Sequence, residues 1–187
     1  LLHYYAPSRS MVFCNTKKMV DDLAGWLLDH GFKAEGLHGD MKQSQRTVVM
    51  DAFKAGRTSI LVATDVAARG IDVDDINCVF NYDIPQNAEY YVHRIGRTGR
   101  AGKSGSAYTL CCGRNQLRQM EQILRFAKAQ ATLAPVPMPD EILQKRREEG
   151  AQKLRTFLTG KTDFPYLDMV LSLMHTEDKQ VPTFSAE

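Results

Sequence analysis

The stretch SILVATD, residues 59–65, places a short apolar run directly before two polar residues, and most other apolar runs share this pattern. Such runs, rich in branched and aromatic residues, predict strands at residues 10–14, 33–37, 59–63, 77–81 and 106–111. Apolar residues at helical spacing predict helices at residues 17–30, 43–55, 88–95 and 115–129. Glycines at 31 and 56 are expected to end the first two helices. This alternation predicts an α/β fold with a mainly parallel sheet and helices on both faces.

Small polar or charged residues follow four of the predicted strands at once. They are Asn15-Thr16-Lys17, His38-Gly39-Asp40, Thr64-Asp65 and Tyr82-Asp83. In open α/β sheets, ligands bind in the crevice at the carboxyl ends of the strands. We therefore expect these residues to line one rim of the sheet.

Residues 93–100 read HRIGRTGR and carry three arginines at a spacing of three residues. Guanidinium groups that lie close repel one another unless an anion or carboxylates share the site, and their planar forks suit phosphate oxygens. Gly96 and Gly99 each precede an arginine, which would let a ligand approach the backbone closely. The segment therefore predicts a phosphate site. The alternatives are a basic patch for RNA or an acidic partner, and a solvated run of charges.

Composition limits the class of protein. The 187 residues are 43% hydrophobic, which suffices for a buried core, and 24 basic against 22 acidic residues give a net charge of +2. Any affinity for nucleic acid must therefore come from a local patch.

The four cysteines lack metal-ligand spacing, which predicts reduced thiols, a cytoplasmic protein and no metal site. No apolar stretch is long enough to span a membrane, and the missing initiator methionine suggests a piece of a longer protein.

Several segments carry a resemblance to the DEAD-box RNA helicases. TDVAARGID at 64–72 and HRIGRTGR at 93–100 closely resemble motifs V and VI, and SMVFCNTK at 10–17 resembles motif IV. HGD at 38–40, followed by Gln43 and Arg46, fits the family's Gln-x-x-Arg signature, and YDIP at 82–85 and Tyr91 also fit. The resemblance covers roughly residues 10–128, and His93 stands where related helicases have glutamine.

The resemblance implies a RecA-like fold, namely the second of the two such domains in a helicase core. The chain contains neither a Gly-x-x-x-x-Gly-Lys-Ser/Thr loop nor an Asp-Glu-Ala-Asp sequence. ATP phosphates and Mg²⁺ would therefore be held by the first domain, and this chain alone is expected to be inactive.

The resemblance also implies roles for individual residues. Arg97 and Arg100 would be catalytic arginine fingers that reach the γ-phosphate. The implied nucleotide-binding residues are Gly70, Asp72, Arg97 and Arg100, with Asp72 on the ribose; a turn or cap role is the alternative for Asp72. The implied interdomain coupling residues are Arg69, His93 and Arg94, with Arg94 tied to carboxylates such as Asp72.

A further set of residues is implied to bind RNA without reading bases. The set is Asn15, Thr16, Lys17, Gly39, Arg46, Thr64 and Asp65. Hydroxyl, backbone and charged groups of this kind suit phosphate oxygens. For Asn15 and Lys17 the alternative is that strand-to-helix turns favour these residue types anyway.

The chain divides, by this interpretation, into a linker remnant at residues 1–9, the helicase C-terminal domain at 10–130 and an extension at 131–187. After a proline-rich strap at 135–139 we expect a helix at 140–158, with Asp140 as its N-cap, and a second helix at 166–174. The extension loosely resembles dimerising regions of some bacterial DEAD-box helicases, so residues 135–187 are expected either to form a homodimer or to cap their own core.

Two functional classes remain open from the sequence. One is half of an ATP-dependent RNA helicase, and the other is a non-catalytic module that binds RNA or mediates dimerisation. A Rossmann dehydrogenase is excluded because no strand is followed by Gly-x-Gly-x-x-Gly.

Overall fold

Five strands form one sheet in the structure, a computed structural model that describes residues 1–71, 73, 76–100, 102 and 104–159. The strands are β1 (Ser10–Phe13), β2 (Ala34–Leu37), β3 (Ile60–Ala63), β4 (Cys78–Asn81) and β5 (Ser106–Thr109). All four pairings are parallel, in the order β2-β3-β1-β4-β5. The predicted parallel α/β sheet is confirmed.

Seven helices accompany the sheet within the described residues. They are α1 (Leu2–Tyr5), α2 (Lys17–Asp29), α3 (Gln43–Lys54), α4 (Asp65–Ala68), α5 (Ala88–Ile95), α6 (Gly113–Ala127) and α7 (Pro139–Thr159). Gly31 and Gly56, with φ of 80° and 73°, follow α2 and α3, as the sequence predicted. The expected helix at 166–174 and the rest of residues 160–187 lie outside the described residues.

The chain forms two compact units. Residues Ala6–Ala134 make up one unit, and Leu1–Tyr5 together with the chain from Pro135 onward make up the other. In the first unit β1, β3 and β4 are buried at every position, because helices cover both faces of the sheet. Phe13, Leu61 and Val79 lie at the centre of its core.

Two helix starts differ from the prediction. α7 begins at Pro139, so Asp140 lies in the first turn and is not the N-cap. Proline suits the first helical position because that position needs no N–H donor. α6 begins at Gly113, two residues earlier than the pattern predicted, because the backbone N–H of Cys112 donates to Gln116 Oε1 at 2.6 Å.

The topology explains why ligand-binding residues collect at one place. The chain leaves β1 toward β2 and β3 on one side, whereas it leaves β4 toward β5 on the other. The carboxyl ends of β1 and β4 are therefore neighbours at a topological switch point, where open α/β sheets place their crevice. No helix among the described residues is long and apolar enough to cross a membrane.

Candidate functional site

Arg94 is the centre of the site. Its side chain is fully buried, although α5 otherwise faces solvent with much of its surface. Nε and Nη2 donate to Oδ1 and Oδ2 of Asp65, each at 2.7 Å, so the pair is bidentate. Nη2 also donates to Asn15 Oδ1 at 2.7 Å, and Nη1 donates to the Asp83 carbonyl at 2.7 Å and more weakly to Asn81 Oδ1 at 3.4 Å. All five N–H groups of the guanidinium are therefore used inside the domain.

The ion pair joins elements that are far apart in sequence. Asn15 follows β1, Asp65 follows β3, and Asn81 ends β4, while Arg94 belongs to α5. The guanidinium also lies 5.2 Å from the centre of the Phe13 ring. Because an unpaired buried charge is costly, removing either partner of the pair would strongly destabilise this edge of the sheet.

This geometry bears on three expectations from the sequence and contradicts the first. Arg94 has no N–H left for phosphate, so the three arginines do not act as one array. Its carboxylate partner among the described residues is Asp65, whereas Asp72 lies outside them. Asn15 accepts from Arg94 through Oδ1 and donates through Nδ2 to the Ile84 carbonyl at 3.0 Å, so its amide belongs to this network, and its contact with RNA stays a prediction.

Asp65, an expected RNA-binding residue, is also part of this network. Both carboxylate oxygens accept from Arg94, and only 15% of the side chain is exposed. A carboxylate would in any case repel an RNA phosphate. Asp65 therefore positions Arg94, and its contribution to an RNA surface is limited to its backbone.

Thr16 and Thr64 are N-caps. Thr16 Oγ1 accepts from the Met19 N–H at 3.1 Å at the start of α2, and Thr64 Oγ1 accepts from the Ala67 N–H at 3.4 Å at the start of α4. Each threonine satisfies a helix N–H that lacks an intrahelical acceptor. Thr16 is exposed, so its hydroxyl hydrogen can still donate to a ligand, whereas Thr64 is buried.

Lys17, Gly39 and Arg46 lie on the rim formed by β1, β2 and β3. Lys17 Nζ forms an ion pair with Asp40 in the turn after β2, and this hydrogen bond holds the pKa of Asp40 below its ordinary value. Gly39 is exposed in the same turn. The Arg46 guanidinium makes long contacts to the carbonyls of His38 at 3.5 Å and Ala67 at 3.4 Å.

Arg97 and Arg100 follow the end of α5. Arg97 Nη1 donates to the Ile71 carbonyl at 3.1 Å and Nε to the His93 carbonyl at 3.3 Å, while Arg100 Nε donates to the Gly96 carbonyl at 2.6 Å. Burial, followed by the nearby charge of Arg100, lowers the pKa of Arg97. Neither arginine pairs with a carboxylate in the part of the chain that the structure describes.

Arg69, His93 and Arg97 line one small concavity between α4 and α5, with Asp65 and Tyr90 in its walls. The Arg69 guanidinium lies 6.0 Å from the centre of the Tyr90 ring, which holds it over this opening. Arg94 also lines this opening, so the structure brings together the three expected coupling residues and one expected finger. Gly70 lies beside them at the exposed end of α4, with a φ of 73° that favours glycine.

Glycines within and just after residues 93–100 fit backbone positions where a side chain would clash or be strained. A Cβ on Gly96 would lie 3.0 Å from the Val92 carbonyl oxygen, and Gly99 has a φ of 67°. A Cβ on Gly105 would lie 2.1 Å from Thr98 Oγ1 and 2.5 Å from the Gly99 nitrogen. These glycines let the arginine loop, residues 96–100, pack against the start of β5, and the expectation that Gly96 and Gly99 admit a ligand stays a prediction.

The chain matches the family described as helicase conserved C-terminal domain over residues 1–102, which is more than half of its length. It belongs to this family. The helicase C-terminal domain is 41% identical over 180 residues to the DEAD-box ATP-dependent RNA helicase CshA of Bacillus subtilis, covering 95% of this chain and 36% of CshA. The chain thus spans about a third of the length of this curated relative.

Two solved structures share the RecA-like fold of this helicase domain. A DEAD box protein from the hyperthermophile Methanococcus jannaschii is 46% identical, with a TM-score of 0.62 over 69% of this chain and 38% of that chain. Saccharomyces cerevisiae Dbp5 bound to RNA and ADP BeF3 is 32% identical, with a TM-score of 0.66 over 76% of this chain and 38% of that chain. These likenesses confirm the DEAD-box resemblance and the RecA-like α/β fold.

The sequence reasoning missed Asn81 as a site residue of this helicase domain. Asn81 is fully buried, accepts weakly from Arg94 and donates through Nδ2 to Thr109 Oγ1 at 2.9 Å. Its position at the end of an apolar run was the available signal, because a buried amide requires polar partners. Asn81 and Thr109 extend the network from Arg94 to the edge strand β5.

Proposed function

We propose that this chain is the C-terminal half of an ATP-dependent DEAD-box RNA helicase that unwinds or remodels RNA. The observation that carries the proposal is the different environment of Arg94 and Arg97, two arginines of one motif. Arg94 is buried and fully paired, whereas Arg97 lines the concavity beside Arg69 and His93, and the contacts it makes among the described residues are to carbonyls. Arg94 would hold the site together, and Arg97 would meet an anion.

ATP is the proposed substrate at this edge. Arg97, aided by Arg100, would stabilise the charge on the γ-phosphate, an effect typically worth ~10³ to 10⁵ in rate. Arg69 and His93 would contact the first RecA-like domain when the two domains close. The sequence contains neither a Gly-x-x-x-x-Gly-Lys-Ser/Thr loop nor an Asp-Glu-Ala-Asp sequence, so Mg²⁺ would be held by the first domain, and this chain alone would be inactive.

Gly70 and Asp72 are the remaining residues of the proposed nucleotide-binding site. The exposed turn at Gly70 leaves room for a nucleotide against the backbone. We keep Asp72 as the proposed ribose contact on the resemblance alone.

RNA would bind along the rim formed by the loops after β1, β2 and β3. Lys17 and Arg46 would supply positive charge, and Thr16, Thr64 and the backbone at Gly39 would donate hydrogen bonds to phosphates. Lys17 must exchange Asp40 for a phosphate in order to do so. The fold shared with Dbp5 bound to RNA and ADP BeF3 supports a site of this kind.

The Arg94 network offers a physical link between the two sites. Asn15 and Asp65 are adjacent to the proposed RNA contacts Thr16 and Thr64, and both accept from the residue that anchors α5. Arg97 follows α5 directly. A shift of the RNA loops would therefore move the base of the helix that carries the catalytic arginine, which could couple RNA binding to ATP turnover.

Fusion to the first RecA-like domain of a close relative tests the proposal. The fused protein should hydrolyse ATP faster when single-stranded RNA is present, and the chain alone should not hydrolyse it. RNA binding by the fusion without any RNA-stimulated hydrolysis would instead favour the alternative, a non-catalytic RNA-binding or dimerisation module.

We further propose that residues 135–187 mediate homodimerisation and that the protein works in the cytoplasm. Leu143 and Phe157 of α7 are more than half exposed, which leaves apolar surface for a second copy. Four free thiols suit a reducing compartment. Sedimentation of the chain with and without residues 135–187 tests the dimer, since a monomer in both cases would contradict it.

A further inference from the structure

Tyr4 and Tyr5 form an aromatic corner near the start of the chain. Their ring centres lie 5.0 Å apart and the ring planes meet at 87°, so the edge of one ring faces the other. The electron-rich faces of two perpendicular rings border the space between them. A cation can bind in that space and contact both rings.

Lys145 of α7 supplies that cation. Its Nζ lies 4.2 Å from the centre of the Tyr4 ring and 5.6 Å from the centre of the Tyr5 ring, both within the range of a cation–π contact. The side chain is 34% exposed, and its other charged contact is Glu149, one turn further along α7, at 3.9 Å. The longer ion pair is of the weak exposed kind, so the tyrosines are the closer partners.

The backbone supports a fixed position for this segment. The amides of Tyr4 and Tyr5 both donate to the Leu1 carbonyl, at 3.0 and 2.9 Å, which closes α1 into a single turn. Four residues are too few to form a stable helix in water without outside contacts. Directly after it, Ala6 adopts a φ of 41°, a conformation that alanine avoids unless the surroundings impose it.

We propose that α7 is a docking helix for the segment that leads into the domain, with Lys145 held between Tyr4 and Tyr5 as the contact that fixes it. The helical extension then has a partner within its own chain, namely residues 1–5. The proposal concerns this chain alone and stands independently of ATP hydrolysis or RNA binding.

The first measurement tests whether the contact between Lys145 and the Tyr4 and Tyr5 rings exists in solution. In the 187-residue chain labelled with ¹³C-lysine, ring currents should displace the ε-methylene resonance of Lys145 upfield of the other lysines. Tyr4→Leu should remove this displacement, whereas Tyr82→Leu, at an exposed tyrosine elsewhere, should leave it in place. A Lys145 resonance among those of the other lysines in the unmodified chain would overturn the proposal.

The second measurement tests whether the Lys145 contact keeps residues 1–5 bound to α7. Hydrogen exchange of the Tyr4 and Tyr5 amides should be several-fold faster in Lys145→Gln, whereas Lys145→Arg, which keeps the charge, should retain protection. Lys153→Gln, at an exposed lysine of the same helix, is the matched control. Equal exchange in Lys145→Gln and the unmodified chain would show that the contact does not fix the segment, and would overturn the proposal even if the ring-current shift were present.

Discussion

Asp65 and Arg94 form a bidentate ion pair beneath the carboxyl edge of the sheet, with both nitrogen–oxygen distances at 2.7 Å and Arg94 completely buried. The pair connects the loop after β3 to α5, and Asn15 adds the loop after β1. A motif arginine that resembles a phosphate ligand in the sequence is therefore the structural anchor of the site.

Asp65→Asn should lower the free energy of unfolding by about 3 kcal/mol, because the buried guanidinium would lose its counter-charge. Urea denaturation of the chain measures this loss. Asp51→Asn, at an exposed aspartate of α3, should stay within about 0.5 kcal/mol of the unmodified protein. Similar small effects of both substitutions would contradict the anchor role.

Gly105→Ala should destabilise the domain by about 1–3 kcal/mol, since its Cβ would lie 2.5 Å from the backbone nitrogen of Gly99. Gly25→Ala is the matched control, because no atom lies within 4 Å of its Cβ and it is inside α2. Alanine there should stabilise the helix by roughly 0.5–1 kcal/mol. Thermal unfolding of both variants separates the two, and a neutral Gly105→Ala would mean that the arginine loop does not pack on β5.

The four thiols should react at different rates. Burial raises the pKa of Cys14 and of Cys78 to about 12, and burial also raises the pKa of Cys111, whereas Cys112 is exposed. The thiolate is the reactive form, so at pH 8 a disulfide reagent should modify Cys112 first and leave Cys14 and Cys78 intact until the protein unfolds. Mass spectrometry after timed quenching identifies the modified residue. Early modification of Cys14 would contradict its burial beside Arg94.

The Lys17–Asp40 pair should be visible in the titration of Asp40. Its hydrogen bond to Lys17 lowers the pKa of Asp40, so the pair stabilises the fold above the ordinary pKa of 3.8 and loses this contribution as the pH falls through the lowered value. Lys17→Met should raise the pKa of Asp40 toward 3.8, measured by NMR of the side-chain carboxyl, whereas Lys18→Met should not. An unchanged pKa in Lys17→Met would show that the pair does not form in solution.

Much of the fold could be predicted because strands buried on both faces of a parallel sheet are nearly continuous apolar runs. β3 is apolar at every position, β1 and β4 depart from this only at Ser10 and Asn81, and each strand boundary lies within two residues of the prediction. α4 was not predicted because a helix of four residues is too short to show a period. The start of α7 was misplaced because Asp140 and Pro139 are both typical of a helix start.

The sequence indicates which residues gather at the site, but not that Arg94 is buried as an anchor while Arg97 and Arg100 are placed by a different segment of backbone. A three-residue spacing places side chains together only while the helix continues, and α5 ends at Ile95. Arg94 therefore faces inward from the helix while Arg97 and Arg100 follow a different backbone. Its partner Asp65 lies 29 residues away, so only the folded sheet edge reveals the pairing.

The most direct test of the central claim is the ATPase rate of the fusion protein carrying Arg97→Ala. The account predicts that kcat falls by ~10³ or more while the KM for ATP changes little and the unfolding midpoint is retained, because Arg97 acts on the transition state from an edge that Arg94 holds in place. Turnover within tenfold of the unmodified fusion would contradict it.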